Sequence, residues 1–460
     1  MKKLWYRNAG YRNKYYTNRI PGEHMRFYGR ENEIKLLDDI RLQSQSGAKM
    51  SFIVGRRRIG KTALIKEGYK NSKFIYLFIS KKNEVLLCEE FIPAIEAVTK
   101  DKILGKFTKF SDLFAYLMKL SKKDQFTLAI DEFQEFERVN SSVYSEMQNI
   151  WDANKNESKM NLILCGSIYS MMKKIFENNK EPLFGRADKK IYLEPFSVNV
   201  LKQILLDNCP EVSAEDILTF YTVTGGIAKY VELLINEKAI TKEAIINYIF
   251  SENSIFLEEG KNILIEEFGK EYGTYFSILS LLSNSKTSRS EIESILEKDI
   301  GGYLDKLENE YSVIKKVKPI LAKPSSRVQK YYIDDNFLSF WFRYIYSYSS
   351  AIEIKSFDLI KNFVRKDIRT YSGRMLEKYL IEKLALTKAY TQIGSYWETG
   401  NQNQIDIVAL NEFEKKALIA EVKLNPKKIS LSDLKYKAIN LTDKLKKYSV
   451  EYRGFSIEDL

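Results

Sequence analysis

The residues Gly55-Arg56-Arg57-Arg58-Ile59-Gly60-Lys61-Thr62 have types and a spacing suited to one kind of chemistry, the wrapping of a phosphate chain. Gly55 and Gly60 let the backbone curl, so that successive N–H groups from Arg56 to Ala63 point inward at a polyphosphate. The Lys61 ammonium then reaches the β- and γ-phosphates, and the Thr62 hydroxyl is a ligand for Mg²⁺. ATP and Mg²⁺ are the expected cofactors. Downstream, the apolar run Gln125–Asp131 ends in Asp131-Glu132. An acid there supports the same Mg²⁺, and Glu132 beside it is placed to polarise the attacking water. The run Asn161–Ser167 ends in a hydroxyl, and Ser167 fits a sensor of the γ-phosphate. Arg186, in Pro182-Leu183-Phe184-Gly185-Arg186, stands where an arginine finger reaches a neighbouring subunit's nucleotide, which implies a homo-oligomer with shared sites. The plainer alternative is an arginine in a surface loop.

A second set of acids lies in the last hundred residues. Alternation along Ala417–Lys423 puts Glu421 and Lys423 on one face of a strand, since side chains repeat every two residues. If Ile405–Val408 pairs with that strand as a hairpin, Asp406 lies beside them, and Glu377 precedes them on a helix. Carboxylates and a lysine around one or two Mg²⁺ ions, or Mn²⁺, suffice to hydrolyse a phosphodiester. The metal, held by Glu377, Asp406 and Glu421, lowers the pKa of its water while Lys423 steadies the hydroxide. A salt-bridged surface is the alternative. Lys423–Lys447 holds eight lysines against two aspartates, a surface suited to tracking phosphates.

The elements that must position these groups are legible as alternating patterns. Short apolar runs at Ser51–Val54, Lys73–Ser80, Gln125–Asp131, Asn161–Ser167 and Lys190–Leu193 read as strands. Helical periodicity runs through Glu33–Arg41, onward from Lys61, through Glu89–Val98 and through Phe110–Leu120. The alternation predicts an α/β fold with a doubly wound parallel sheet. Ligands bind such sheets at the strands' carboxyl ends, where Gly55–Thr62, Asp131, Glu132 and Ser167 converge. Ser197–Lys238 reads as a helical lid broken at Thr224-Gly225-Gly226. Three helical patterns, Tyr275–Ser283, Arg289–Leu296 and Gly302–Glu310, followed by a hairpin within Val313–Ile333, predict a winged helix. The hairpin's Lys315, Lys316, Lys318, Lys323, Arg327 and Lys330 favour a DNA reader. Asp305, Glu308 and Glu310 on the third helix favour a protein-packing module instead. The aromatics of Asp335–Tyr348, at helical spacing, are expected in a core. The expected divisions are an N-terminal arm (1–25), the ATPase core (26–196), a lid and connector (197–270), the winged helix and aromatic connector (271–350), and a C-terminal domain (351–460).

Composition narrows the class. The 460 residues are 44% hydrophobic and 29% charged, ordinary for a globular protein of several domains. No apolar run is long enough to span a bilayer, and the basic, tyrosine-rich N-terminus lacks the apolar centre of a secretion signal, so a cytoplasmic protein is expected. Cys88, Cys165 and Cys209 are too few and scattered for a disulfide framework or zinc site, and the lone His24 excludes histidine clusters. Hydrolysis must therefore rest on carboxylates, lysines and cations. The net charge of +12 permits DNA as a partner. In the arm, cations interleave with Trp5, Tyr6, Tyr11, Tyr15 and Tyr16, which suits either single-stranded nucleic acid or a docking segment.

The motifs GRENEI, GRRRIGKT, LAIDEF, LILCGS, PLFGR and TGGIAKYVELL, spread over Phe27–Glu237, occur in an order and spacing that resembles the archaeal-type ATPase family of the AAA+ and signal-transducing ATPase group. The family usually has proline after its paired glycines, where this chain has Ala228. The resemblance implies a P-loop nucleotide site and ATP hydrolysis. Glu377, Asp406 and Glu421-x-Lys423 resemble the PD-(D/E)xK restriction-endonuclease-like superfamily, with Gln404 where an acid often stands. That resemblance implies a C-terminal α/β nuclease fold and action on DNA.

Overall fold

The computed structural model describes residues 25–269 and 272–460. The N-terminal arm up to His24 lies outside the described residues. Five strands, β1 (Lys49–Val54), β2 (Phe74–Phe78), β3 (Thr127–Asp131), β4 (Asn161–Gly166) and β5 (Lys189–Tyr192), form one parallel sheet in the order β2-β3-β4-β1-β5. β3 and β4 are buried along their whole length, as near-continuous apolar runs in a sheet covered on both faces require. β5 is an edge, with Ile191 alone buried and its lysines facing water.

Alternation along the strands divides their side chains between two cores. Phe52, Val54, Leu128, Ile130, Leu162 and Leu164 pack under the helices Glu84–Thr99, Phe110–Leu120 and Ser142–Asn154. Ile53, Ala129, Ile163 and Cys165 face the helices Glu31–Gln43 and Lys61–Tyr69, in a core that continues without a break into the rest of the chain. The lid consists of helices Val198–Asn208, Ala214–Thr224 and Ala228–Asn236. It is interrupted once more than the sequence pattern indicates, around Pro210. At the Gly225-Gly226 break both residues have positive φ, and a Cβ on Gly226 would meet the Phe196 carbonyl at 2.3 Å, so glycine is required there.

Helices Lys242–Ile249 and Phe256–Phe268 lead to Tyr272–Ser283, Arg289–Leu296 and Gly301–Asp305. An antiparallel pair follows, β6 (Ile314–Val317) with β7 (Lys330–Ile333). The aromatic helix Asn336–Tyr344 is core: Phe337, Phe340, Phe342 and Tyr344 are fully buried. The 30-residue helix Phe357–Leu386 buries a stripe at three- and four-residue spacing, including Ile360, Val364, Ile368, Tyr371 and Met375. It packs on the lid helix Ala214–Thr224 and on a second sheet. That sheet holds β8 (Gln392–Tyr396), β9 (Ile405–Asn411), β10 (Lys416–Lys423) and β11 (Ser449–Ser456) in the order β11-β10-β9-β8. β9 is antiparallel to both neighbours, and β11 joins β10 in parallel. The C-terminal region is thus a separate α/β unit with its own sheet.

Among the described residues no helix is long and apolar enough to cross a membrane. Cys88 and Cys165 are buried and Cys209 half-buried, all three as free thiols.

Candidate functional site

The turn from β1 into the helix Lys61–Tyr69 is left-handed at Arg58 (φ 71°) and at Gly60 (φ 97°). This curl draws the Lys61 side chain back beneath the loop. The residue is 7% exposed, and its ammonium donates to the Gly55 carbonyl at 2.7 Å and the Arg56 carbonyl at 3.1 Å. Burial lowers the Lys61 pKa, partly offset by Cys165, Glu132 and Asp131. The Thr62 hydroxyl donates to Asp131 Oδ2 at 2.7 Å, which places the first turn of the helix against the end of β3. The two segments lie 69 residues apart in sequence.

Asp131 is the hub of the cleft. Its Oδ2 also accepts from the Tyr76 hydroxyl at 2.6 Å, and its Oδ1 from the Glu132 N–H at 2.9 Å. Burial alone would raise its pKa, but the bonds from Tyr76, Thr62, Cys165 and the backbone outweigh it and hold the carboxylate below its ordinary value. Glu132 adopts a left-handed backbone (φ 54°), an unusual conformation for a non-glycine residue at the end of a strand. Ser167 Oγ donates to its Oε2 at 2.7 Å, and the buried Gln134 amide donates to the same oxygen. Lys61, Thr62, Asp131, Glu132 and Ser167 line a cavity of about 490 Å³ together with Arg57, Arg58, Ile59, Gly60 and Ala63.

The donors fit a magnesium–triphosphate: a hydroxyl and an ionised carboxylate share one hydrogen bond, beside a buried ammonium and a curled loop at a helix N-terminus. Gly55 and Arg56 do not line this cavity but a neighbouring one with Glu194 and Asp335. Arg56 turns away and donates to Asp335 Oδ2 at 2.9 Å and to the Ser312 carbonyl. Arg58 pairs with Glu259 at 2.8 Å. Arg186 does not line the cleft of its own chain; its guanidinium donates to Asp152 Oδ2 at 3.1 and 2.9 Å.

Sequence reasoning missed four contributors. Tyr76 and Gln134 hold the two acids; Tyr76 sits in the run Lys73–Ser80, which reads as a strand, and Gln134 lies two residues past Glu132, outside every assigned pattern. Phe27 and Arg30 also line the cavity, and Arg30 binds the Glu194 carbonyl at 2.7 Å while stacking over Phe196. The GRENEI motif carries that arginine and was the available signal.

In the C-terminal sheet, Lys423 Nζ lies 3.1 Å from Glu421 Oε1 and 3.7 Å from Asp406 Oδ2. Asp406 Oδ2 accepts the Val422 N–H at 2.8 Å; Glu421 accepts the Ser430 N–H at 3.1 Å and pairs with Lys437 at 3.4 Å. Glu377, on the long helix, faces the same cluster. Burial, then the Asp406 charge, pushes its pKa up to about 8, against the pull of Arg374, Lys423 and Lys330. Among the described residues no group of three or more His, Cys, Asp or Glu side chains is arranged to hold a metal ion. Asp406, Glu421 and Lys423 come together at the end of β10, and Glu377 faces them from the long helix. Lysine ammoniums and the Ser430 N–H hold the Glu421 oxygens, and the Val422 N–H and Lys423 meet Asp406 at Oδ2.

The sheet order, the loop and its acids define a P-loop ATPase fold. A family model described as an ATPase domain predominantly from Archaea matches residues 27–234, and one described as Archaea bacterial proteins of unknown function matches residues 341–438. An uncharacterised protein of Methanocaldococcus jannaschii is 31% identical over 412 residues, which span 86% of this chain and 87% of that protein. The chain belongs to this archaeal ATPase family. In fold it is similar to a Walker-type ATPase of Pyrococcus abyssi, at a TM-score of 0.51 and 18% identity, over 69% of this chain and 96% of that one. An ORC2 protein of Aeropyrum pernix, solved in ADPNP–ADP complexes, matches at a TM-score of 0.47 and 16% identity, over 74% of this chain and 97% of that one.

Proposed function

We propose that the chain is an ATP-driven switch acting on DNA, with the cleft at the end of β1, β3 and β4 binding and slowly hydrolysing ATP. The observation that carries this reading is the Thr62–Asp131 hydrogen bond, with Glu132 and Ser167 on the adjoining strand end. Thr62 and Asp131 hold Mg²⁺, and the loop N–H groups and Lys61 hold the phosphates. Bound Mg²⁺ supplies charge neutralisation at the phosphate oxygens. Glu132 orients the attacking water and accepts its proton, and Ser167, bonded to Glu132, reports on the γ-phosphate position. Arg56 and Arg58 tie the loop to Asp335 and Glu259, giving the nucleotide state a route into the connector and winged-helix segment.

The C-terminal centre is read as a phosphodiester site, and cleavage of DNA is the stronger form of that reading. A second reading has specific support: Lys423 lies within ion-pair distance of both Asp406 and Glu421, as in a non-cleaving binding module of a nucleotide-dependent scaffold. Purified protein incubated with plasmid and Mg²⁺ or Mn²⁺, with and without ATP, separates the two. Nicking that disappears in both Asp406→Ala and Lys423→Ala establishes cleavage. Intact plasmid, duplex oligonucleotide, single strand and RNA under all conditions leaves the scaffold.

A further inference from the structure

Two cations beside the C-terminal centre lack the partner that most neighbouring cations have. Lys316 pairs with Glu308 at 2.8 Å, Arg343 with Asp367 at 2.8 Å, and Lys423 with both its acids. Lys330 and Arg374 are different. Among the described residues neither has a carboxylate within ion-pair distance, and neither donates a hydrogen bond. Each rests instead on an aromatic ring. Lys330 Nζ lies 4.7 Å from the centre of Trp397, and the Arg374 guanidinium 3.7 Å from the centre of Tyr332.

The placement follows from strand alternation. On β7, Tyr331 and Ile333 turn into the core, so Lys330 and Tyr332 share the opposite face, which meets the long helix and Trp397. The rings fix the two charges in place without neutralising them. Burial lowers the pKa of both cations, and Glu377 offsets this only in part. Half-buried positive charges in this condition match an anion supplied from outside the chain.

We propose that Lys330 and Arg374 form a phosphate clamp that seats a nucleic-acid backbone against the C-terminal carboxylate centre, one cation supplied by the hairpin and one by the helix. This rests on reading that centre as a phosphodiester site, but it concerns binding and not cleavage. The eight lysines of Lys423–Lys447 continue the positive charge in the same domain and favour a polymer over a single phosphate.

The test is fluorescence anisotropy of the full chain in EDTA, using labelled single-stranded and duplex DNA of about 20 nucleotides, longer than one small domain covers. Lys330→Gln and Arg374→Gln should each weaken binding by about tenfold and reduce the slope of log Kd against log salt by about one. Arg374→Lys should restore the slope, and Lys122→Gln, remote on the ATPase core, should change neither quantity. Melting curves identify any variant that fails to fold, and Lys330→Gln, on a half-buried edge position, serves if Arg374→Gln does so. Unchanged affinity and slope in a folded variant overturn the clamp, as does a wild-type chain that binds neither DNA. Equal competition by AMP or inorganic phosphate, at matched phosphate concentration, overturns nucleic acid as its ligand. Weakened variants of a wild type that binds DNA yet leaves plasmid intact keep the clamp and remove cleavage.

Discussion

The two polar centres of this molecule treat their carboxylates in opposite ways. In the nucleotide cleft, Asp131 is surrounded by neutral donors: two hydroxyls, a thiol and a backbone N–H. They keep it ionised without cancelling its charge, and the nearest ammonium, Lys61, is spent on main-chain carbonyls. In the C-terminal sheet, Asp406 and Glu421 are met by Lys423, and Glu421 by Lys437 as well. An acid held by neutral donors remains available to an incoming cation; an acid held by lysine already has one. The difference is one of chemistry and not of burial, since Asp131, Asp406 and Glu421 are all largely buried.

The largest effect should come from removing the cleft's ammonium. Lys61→Ala should reduce ATP turnover by at least about 10²-fold, the scale of losing one preorganised charge at a phosphoryl-transfer site, while circular dichroism stays native. Glu132→Gln should cost about 10²- to 10⁴-fold in turnover yet retain binding of a fluorescent ATP analogue, because it removes a base and not a phosphate contact. Phosphate release measures both. Unchanged turnover in Lys61→Ala would remove one side of the contrast.

The C-terminal side can be tested through proton linkage. Glu377 has an ordinary value of 4.5 and is raised to about 8 by burial and Asp406, so the folded state holds its proton more tightly than the unfolded state. The stabilisation is fully present below about pH 4.5 and is lost as the pH rises through about 8. Melting temperature in EDTA, followed from pH 6 to about 9, should therefore fall more steeply in the wild type than in Glu377→Gln. Parallel curves would show that Glu377 is solvated and that the centre is simply a salt-bridged surface.

These two centres were also unequally legible. The cleft's loop is contiguous, and its acids stand at the ends of apolar runs, so one-dimensional spacing already carries the geometry from Gly55 to Ser167. Tyr76 was hidden because a tyrosine in Phe74–Phe78 is as good a strand former as its neighbours, and only the pairing of β2 with β3 brings it to Asp131. At the C-terminal centre, alternation correctly puts Glu421 and Lys423 on one face of β10. What alternation omits is the loop and helix after the strand, whose Ser430 N–H and Lys437 claim the glutamate's oxygens. β11 was also missed: its charged residues face water on an edge, leaving too little apolar signal, and its parallel pairing needs a crossover through the helices Leu431–Lys437 and Ile439–Lys444.

The smallest effect on stability, and the sharpest on mechanism, is expected at Arg186. Its ion pair with Asp152 joins two partly exposed side chains, and such pairs contribute at most about 1 kcal/mol. Arg186→Ala should therefore leave the melting temperature within a few degrees of the wild type, so any loss of turnover reports on the nucleotide site and not on folding. The guanidinium is outside its own cleft, and its only route to a triphosphate is through a second copy of the chain. If subunits share sites, turnover should rise more than linearly with protein concentration in the wild type, and Arg186→Ala should abolish that excess by about 10-fold or more. Mixing Arg186→Ala with Lys61→Ala should then restore part of the activity, because each lacks what the other supplies. Turnover strictly proportional to concentration, equal in both the wild type and Arg186→Ala, would leave Asp152 as the arginine's whole purpose, and the cleft would work within one chain.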